Sequence, residues 1–414
     1  YREILPKVLP ALTKFSLKGV DGEYTNWNEF GKWMYNNLLK GRTEIEDEAT
    51  KNKIKDLVKG VKDPLEKAKI VYQYVQDKTR YISVQVGIGG WEPIEAKEVD
   101  KVGYGDCKGL VNYTKALLDI AGVESYYTIV YADDKRNIDK EFSSIQGNHI
   151  ILNIPNKGDD VWLECTSQII PFGFLGDFTD DRDVVVITPE GGIVKRTTSY
   201  KSATNLQEIK GSIQLDEKGN VVANLLRVSK GLQYDDKYYY ETFSKEELIK
   251  NYKRKVWSYN NNLDIEYVSI KNDKEKIEFS EDLKISIRNF ASINDNQYLF
   301  RVNIFNKENY VPKRYRNRKY PLKIRVGYKD VDEYDVKLPK GYVIDVLPSE
   351  KNISTKFGNY KVTFTKINDT TFKYKKTILI KDGIYPKEDY KAYRSFRKSI
   401  AKYDNLRIAI TKKN

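Results

Sequence analysis

Histidine, cysteine and methionine are scarce in this sequence of 414 residues, which contains one histidine, two cysteines and one methionine. Two cysteines are too few for a disulfide framework, and with a single histidine they offer too few ligands for a zinc site. Apolar runs stay well short of the roughly 18 residues that cross a bilayer, so no transmembrane segment is predicted. The glycine-rich segment 87–90 completes no nucleotide-binding motif, so no cofactor is predicted.

Positive charge is distributed unevenly. Residues 1–200 hold 27 Lys and Arg against 31 Asp and Glu, a net charge of −4, whereas residues 201–414 hold 45 against 28, a net charge of +17. Cations of the second half alternate with apolar residues, as in 323–326, which is typical of the solvated face of a sheet. An anionic surface partner stays open for the densest cluster, 313–319, but no nucleic-acid partner is expected.

Acidic residues are dense in segment 177–183. The four carboxylates are Asp177, Asp180, Asp181 and Asp183. Their spacing lacks the central glycine and the terminal glutamate of an EF-hand loop. We interpret the segment as an Asx-rich turn in which Arg182 neutralises its neighbours, with a metal site as the weaker alternative.

The single histidine, His149, follows Cys107 and precedes Glu164. A thiol, an imidazole and a carboxylate in this order are the parts of a cysteine nucleophile, its base and the group that orients the base. Apolar positions after Cys107 repeat at helical spacing and stop at Gly122, which puts Cys107 in the first turn of a helix. The helix dipole favours a thiolate there, although an inert buried cysteine would fit the same pattern.

A predicted hairpin brings His149 near Glu164. Strands are expected over 148–154 and 160–165, joined by a turn sequence rich in Pro, Asn and Gly. With a four-residue loop, His149 lies directly opposite Glu164, and their Cβ atoms are roughly 4.5–5.5 Å apart on one face. Alternation of side chains sends Cys165 to the other face as a core residue. An ordinary surface pair of histidine and glutamate is the alternative.

Periodicity predicts the other main elements. Residues 1 to about 60 read as a helical lead-in, and the C-terminal half reads as β-rich with helical interruptions. The expected helices are 65–78, 244–259 and 390–403, and the expected strands include 81–86, 126–131, 206–215 and 221–228.

The residues around the predicted triad resemble a known family. Segments 103–108, 147–151 and 162–168 are similar to the transglutaminase-like core of the cysteine-protease superfamily. The similar members belong to a bacterial branch, common in Bacteroidetes, that carries this core between the domains of unknown function 3857 and 3858. Segments 338–342 and 383–386 resemble the second of these domains.

The resemblance implies an α+β fold with a transglutaminase-like (papain-like) core and a β-sandwich-like C-terminal region. Residues 1–60 would be the lead-in, as the tail of a missing N-terminal β domain, and residues 61–200 the catalytic core. Residues 201–414 would be the β-rich domain, with a subdomain break near 312–320 as an option. The N-terminus at Tyr1 is neither an initiator methionine nor a signal sequence, so we expect a mature or trimmed form.

By position, the resemblance makes Cys107 the nucleophile, His149 the base and Glu164 the third member, where the family more often has aspartate. The backbone N–H of Cys107 would be one oxyanion donor, and Gln85 or Trp91 could supply the other. For both of these side chains a purely structural role is the stronger interpretation.

The sequence therefore predicts a cysteine-dependent hydrolase or acyltransferase that acts on peptide or glutamine amides through a thioester. Hydrolysis is preferred over protein cross-linking, because the sequence reveals neither water exclusion nor an amine site. A silent binding or scaffold protein at the cell surface is the competing class, and it predicts an unreactive Cys107. The resemblance also implies export to the periplasm or cell surface, and specificity is expected from the cleft loops 86–103 and 132–146.

Overall fold

The computed structural model describes residues 8–17, 19–83 and 90–412. The chain divides into two compact units, Tyr1–Ser199 and Tyr200–Asn414. Within the described ranges, none of the helices has the length and apolar character needed to span a membrane.

The first unit mixes helices with an antiparallel sheet. Its helices are α1 (Trp27–Met34), followed by a π-helical turn (Tyr35–Leu39), α2 (Glu48–Leu57), α3 (Pro64–Lys78), α4 (Ala96–Val102), α5 (Cys107–Ile120) and α6 (Gly176–Thr179). Its strands are β1 (Lys14–Leu17), β2 (Val20–Glu23), β3 (Arg80–Tyr81), β4 (Tyr104–Gly105), β5 (Tyr126–Val130), β6 (His149–Ile154), β7 (Val161–Leu163), β8 (Asp183–Thr188) and β9 (Gly191–Arg196).

Local sequence explains where the main helices begin. Asp63 caps α3 by accepting a hydrogen bond from the N–H of Leu65, and Pro64 takes the first helical position, where no backbone donor is needed. Helix α5 ends before Gly122, whose φ of 71° suits a glycine after a helix. Both helices lie within about a residue of their predicted bounds, because apolar periodicity and caps agree there.

A five-stranded sheet of the order β7-β6-β5-β8-β9 forms the centre of the first unit. Its core is a cluster of buried side chains from neighbouring strands and the segment before α6. These residues are Val130, Ile151, Trp162, Leu175, Val184 and Val186. The sheet fixes β6, and with it the backbone position of His149.

Two glycines let helix α1 approach the edge strand β9 closely. A Cβ atom on Gly31 would lie 1.9 Å from the backbone nitrogen of Gly192, and one on Gly192 would lie 2.2 Å from the carbonyl oxygen of Trp27. Neither position can accept a side chain without moving the backbone. This contact fixes α1 on the sheet of the first unit.

In the N-terminal segment the structure differs from the predicted helical lead-in. Residues 14–23 form the hairpin of β1 and β2 instead of continuing a helical lead-in. Gly19, with a φ of 87°, makes the reversal between these short strands. Helices follow only from Trp27, where Asn26 caps α1 by accepting from the N–H of Glu29.

The second unit is built on large sheets, as predicted for the C-terminal half. Its strands are β10 (Leu206–Leu215), β11 (Val221–Lys230), β12 (Leu263–Asp273), β13 (Glu278–Ile287), β14 (Ser292–Asn294), β15 (Gln297–Arg301), β16 (Leu322–Ile324), β17 (Tyr328–Lys337), β18 (Tyr342–Val346), β19 (Lys351–Thr355), β20 (Gly358–Asn368), β21 (Thr371–Ile380), β22 (Gly383–Tyr385) and β23 (Arg407–Lys412). Its helices are α7 (Leu232–Asp235), a 3-10 turn (Tyr238–Thr242), α8 (Lys245–Asn251), a π-helical turn (Tyr252–Val256), a second 3-10 turn (Lys387–Asp389) and α9 (Tyr390–Asp404).

An eight-stranded sheet of the order β12-β13-β11-β10-β17-β21-β20-β19 dominates this unit, beside a four-stranded sheet of the order β14-β15-β23-β18. The predicted strands 206–215 and 221–228 are confirmed as β10 and β11, which form a hairpin with Leu215 opposite Val221. The predicted helices near 244–259 and 390–403 are also present. The connecting sequence Asp-Glu-Lys-Gly-Asn is rich in residues that favour turns, which explains why the two strands pair as a hairpin.

Candidate active site

Cys107 is the first residue of helix α5, as predicted. The preceding Asp106 caps the helix, since its Oδ1 accepts a 2.9 Å hydrogen bond from the N–H of Gly109, while its other oxygen binds the ammonium group of the buried Lys108. Lys108 is therefore paired with Asp106. Cys107 is 6% exposed and forms no disulfide. Its position puts the thiol at the positive end of the helix dipole.

His149 begins strand β6, and Glu164 follows the last residue of strand β7. The imidazole Nε2 donates to the Oε2 atom of Glu164 over 2.8 Å, and both side chains are buried. The predicted contact between the two residues is therefore present. Because Glu164 occupies Nε2, the other ring nitrogen, Nδ1, is the one that can serve Cys107.

The hairpin register differs from the predicted one by two residues. Leu152 lies opposite Leu163, so the connecting loop has six residues, 155–160, and Glu164 lies beyond the end of the strand pairing. The reason is Asp160, which accepts hydrogen bonds from the loop and from Lys195 instead of extending the strand. A shift of two residues keeps every side chain on the same face of the sheet. The contact between His149 and Glu164 is therefore present although the predicted register was wrong.

Glu164 is held by groups that the sequence analysis missed. Its Oε1 atom accepts from the backbone N–H of Thr166 at 3.0 Å and from the Thr166 hydroxyl at 2.5 Å. The hydroxyl of Tyr72, on helix α3, donates to the Glu164 carbonyl oxygen over 2.6 Å. A threonine two residues after a carboxylate is a turn signal that could have been read from the sequence, but the contact with Tyr72 joins residues far apart in the chain.

The surroundings of His149 raise its pKa strongly. Burial by itself lowers the pKa of His149, but the charge of Glu164 and hydrogen bonds to Cys107 and Glu164 outweigh it and raise this pKa to about 10. Burial raises the pKa of Glu164, and the charge of His149 with its hydrogen bond turns the net change into a lowering. The site thus favours an imidazolium beside a carboxylate.

A cavity of about 210 Å³ opens at Cys107 and His149. One wall is apolar and comes from α1 and its π-helical extension. The lining residues are Phe30, Trp33, Met34, Leu38, Gly90, Trp91, Cys107, Lys108, Tyr127, Ile129, Ile145, Gln146, Gly147, Asn148, His149 and Ile150. Trp91 therefore shares the cavity with the thiol, whereas Gln85 lies outside the described residues.

Tyr127, on strand β5, is a further polar group at this cavity. Its hydroxyl is buried and has no hydrogen-bond partner among the residues that the structure describes. Burial, followed by the negative charges of Cys107 and Asp106, raises the pKa of Tyr127 well above its ordinary value, so the hydroxyl stays a neutral donor. In the sequence Tyr127 is an ordinary strand residue, and no motif distinguished it.

Cys165 is a core residue, as its position in the hairpin predicted. It is 3% exposed, and burial raises the pKa of its thiol, although a hydrogen bond from Thr114 acts in the opposite direction. Both cysteines are free thiols. Cys165 therefore offers an unreactive internal reference for Cys107.

The acidic segment 177–183 is stabilised differently from the prediction. Arg182 is buried and donates to backbone carbonyl groups instead of neutralising the neighbouring carboxylates. The acceptors are the carbonyl oxygens of Tyr131, Asp133, Asp177 and Phe178.

Lysine and arginine residues from other segments form ion pairs with aspartates of this segment. Asp180 binds Lys135 at 2.9 Å, and Asp183 binds Lys140 at 3.1 Å and Arg196 at 3.2 Å. Throughout the described ranges, no group of three or more His, Cys, Asp or Glu side chains is arranged to hold a metal ion.

The basic cluster 313–319 is mostly exposed. Arg318 donates to the carbonyl oxygens of Tyr320 and Pro321 and lies 4.3 Å from the ring centre of Tyr390. An anionic surface partner for this cluster stays a prediction.

Comparison with known proteins identifies two family matches in the chain. Residues 51–169 match the transglutaminase-like superfamily. The first unit thus contains a transglutaminase-like domain. Residues 295–410 match the domain of unknown function 3858, a family with a solved structure. The 3857 part of the predicted arrangement stays a prediction, and no curated protein matches the sequence.

One solved structure resembles most of the chain. It is a "putative protease" from Parabacteroides distasonis, with 14% sequence identity and a TM-score of 0.50. The similarity covers 92% of this chain and 58% of the other, so the chain spans little more than half the length of that protein. At this identity the similarity supports the fold.

Proposed function

We propose that the transglutaminase-like domain is a cysteine-dependent hydrolase that cleaves peptide amide bonds, with Cys107, His149 and Glu164 as its triad. The observation that carries this proposal is the 2.8 Å contact between His149 Nε2 and Glu164 Oε2. It fixes one ring nitrogen of a histidine that shares its cavity with Cys107 and interacts with it electrostatically. A histidine held between a carboxylate and a thiol at a helix start is the arrangement that activates a cysteine nucleophile.

In the proposed reaction, the Cys107 thiolate attacks the amide carbon and a C–S bond forms, while the carbonyl oxygen takes the electron pair. His149 then gives its proton to the nitrogen of the leaving amine as the C–N bond breaks. A water molecule that His149 deprotonates next attacks the thioester, and cleavage of the C–S bond releases a carboxylic acid and restores the thiolate beside the protonated His149. Glu164 keeps the imidazole oriented and stabilises its positive charge throughout.

The oxyanion formed in the first step needs hydrogen-bond donors. The backbone N–H of Cys107, at the start of α5, is one donor by position. The hydroxyl of Tyr127 is our preferred second donor, because it is neutral, buried and without an acceptor among the described residues. Trp91 lines the same cavity and is the alternative; Gln85 stays an expectation from the sequence.

The cavity walls favour substrates with an apolar side chain next to the scissile bond. Phe30, Met34 and Leu38 from the α1 segment line the same cavity as the thiol, and Ile145 lines it at 42% exposure. Burying a leucine-sized side chain contributes about 1.5–3 kcal/mol relative to glycine, which corresponds to roughly a tenfold to hundredfold preference.

A charged residue introduced into the cavity wall should remove the preference for an apolar substrate side chain. We expect wild-type Cys107 to react about tenfold or more faster with a leucyl than with a glycyl peptide vinyl sulfone, and Ile145→Asp to lose most of that ratio. Its reaction with iodoacetamide should not change. Ile193, on strand β9, is 45% exposed and does not line the cavity, so Ile193→Asp is the matched control. Equal ratios in both variants would refute the apolar site.

Turnover is tested directly with a pool of fluorogenic peptides. Cys107→Ala should reduce hydrolysis to background, because no other group can form the thioester, whereas Cys165→Ala should retain it. Adding a primary amine separates the enzyme classes, since incorporation of the amine in preference to water would identify cross-linking chemistry. No turnover with any peptide, together with an unreactive Cys107, would favour the silent binding protein.

We also propose that the protein acts outside the cytoplasm, in the periplasm or at the cell surface. The proposal rests on the export that the sequence resemblance implies, and residues 51–169 and 295–410 match two of the families in that arrangement. Fractionation of the source bacterium with an antibody against the second unit tests it, and recovery in the cytoplasm alone would overturn it.

A further inference from the structure

A second cavity, of about 380 Å³, lies within the second unit between the β10–β11 hairpin and the helical segments that follow it. Its lining is rich in cations and contains one carboxylate. The charged lining residues are Arg227, Lys237, Lys255, Lys307 and Asp236. The aromatic ones are Tyr239, Tyr240, Tyr259 and Phe305.

Arg227 is already neutralised. Its guanidinium group binds the buried Glu281 through Nε and Nη2, and the hydroxyl of Tyr252 donates to the same carboxylate at 2.5 Å. Glu281 thus accepts three hydrogen bonds from Arg227 and Tyr252. The remaining positive charge of the cavity belongs to the lysines.

Lys237 is unusual among the buried lysines. Three lysines in the described part of the chain are less than 9% exposed: Lys108, Lys237 and Lys376. Lys108 binds Asp106, and Lys376 binds Asp332 at 2.7 Å. For Lys237 the described residues provide no carboxylate or carbonyl oxygen at bonding distance, and its ammonium lies 5.2 Å from the ring centre of Tyr240. A buried ammonium without an anion is costly unless a partner arrives.

Two more groups at this cavity could bind an anion. Lys307 forms no ion pair within the described ranges and lies 4.6 Å from the ring centre of Tyr259. The Nδ2 atom of Asn251 is buried with no hydrogen-bond acceptor among the described residues. Burial, and then the charge of Arg227, lowers the pKa of Lys237 to about 8, and the charges of Glu281 and Asp236 offset only part of this change.

We propose that this cavity binds a small ligand through an oxyanion, a carboxylate or a phosphate, which pairs with Lys237. The volume suits a molecule of a few carbon atoms, and the aromatic rings would cover its apolar part. Lys307 and Asn251 complete the donor set. Lys237 and Asn251 lie between the two segments that match known families, 51–169 and 295–410. All lining residues of this cavity belong to the second unit.

Calorimetric titration of the full chain tests the proposal with sodium phosphate, sodium acetate and sodium galacturonate, each against sodium chloride of equal ionic strength. We expect saturable binding of at least one anion and a loss of about tenfold or more in affinity in Lys237→Met, because a charge-assisted hydrogen bond disappears. Lys361→Met, which removes an exposed lysine of strand β20, is the matched control and should bind as the wild type does.

Folding of the variant is measured in the same buffers by thermal unfolding. Lys237→Met should be at least as stable as the wild type without an anion, because it replaces an unpaired buried charge by an apolar chain of similar length. Binding of phosphate alone would identify a phosphate-bearing ligand, and binding of acetate and galacturonate a carboxylate. The proposal is overturned if no anion binds, or if wild type and Lys237→Met bind alike.

Discussion

Alkylation of Cys107 by iodoacetamide at pH 6 is expected to slow by about a hundredfold or more when His149 is replaced by alanine. A free thiol with the reference pKa near 8.5 is only roughly 0.3% thiolate at this pH, and the thiolate is the reacting form. The pKa of His149 is raised to about 10, so its positive charge is fully present at pH 6 and is lost only as the pH rises through that value. Removing the imidazolium therefore removes the charge that favours the thiolate.

Mass spectrometry of the two cysteine peptides provides the measurement and its reference together. Cys165 is buried and its pKa is raised, so it should label slowly in wild type and variant alike. Glu164→Gln keeps the shape of the third member and removes its charge, and an intermediate rate is expected. If Cys107 of the wild type labels at the rate of a free thiol, and His149→Ala does not change that rate, the proposed triad is not a catalytic unit.

Local sequence signals predicted the individual helices and strands of the site better than the contacts between them. The apolar period after Cys107 and the glycine at position 122 gave the bounds of α5, because both signals are local in the sequence. The contact between His149 and Glu164 was predicted from a hairpin whose loop length was wrong by two residues. The contact was nevertheless correct, since an even shift preserves the face of a strand.

Groups that reach the site from distant segments could not be predicted. Trp91, Ile145 and Gln146 lie in the two loops that were expected to shape the cleft, and they do line the cavity. The opposite wall comes from helix α1, whose approach depends on Gly31 meeting the backbone of β9, 161 positions further along at Gly192. A single sequence contains no signal that these two glycines are in contact. Tertiary packing brings α1 to the thiol.

The β-rich half has an ion pair in its core that sequence alternation concealed. Lys376, on strand β21, lies directly opposite Asp332, on strand β17, and the two are 2.7 Å apart with no exposed surface. Asp404 of helix α9 lies 3.4 Å from the same ammonium. The alternating cations of this strand were interpreted as a solvated face, which holds for Lys373 but fails for Lys376, because the two residues lie on opposite faces.

Replacing Lys376 by methionine is expected to destabilise the second unit by about 3–5 kcal/mol, because two carboxylates would stay buried without a cation. Lys373→Met is the matched control on the same strand. Lys373 pairs with Glu333 at 2.9 Å and with Asp335 at 3.0 Å on an exposed face, and such pairs contribute about 0.2–1 kcal/mol. Urea denaturation of the full chain, followed by circular dichroism, measures both changes.

The pH dependence separates loss of charge from loss of packing. Burial raises the pKa of Asp332, and Lys376 opposes that rise, so the carboxyl group should take up a proton more readily once the lysine is gone. The unfolding free energy lost in Lys376→Met should therefore shrink as the pH falls, because a protonated Asp332 needs no cation. A loss that is equal at pH 5 and pH 8 would mean that methionine disturbs packing and that the ion pair itself stabilises little. In the double variant Lys376→Met with Asp332→Leu, an apolar pair of similar volume should recover most of the loss.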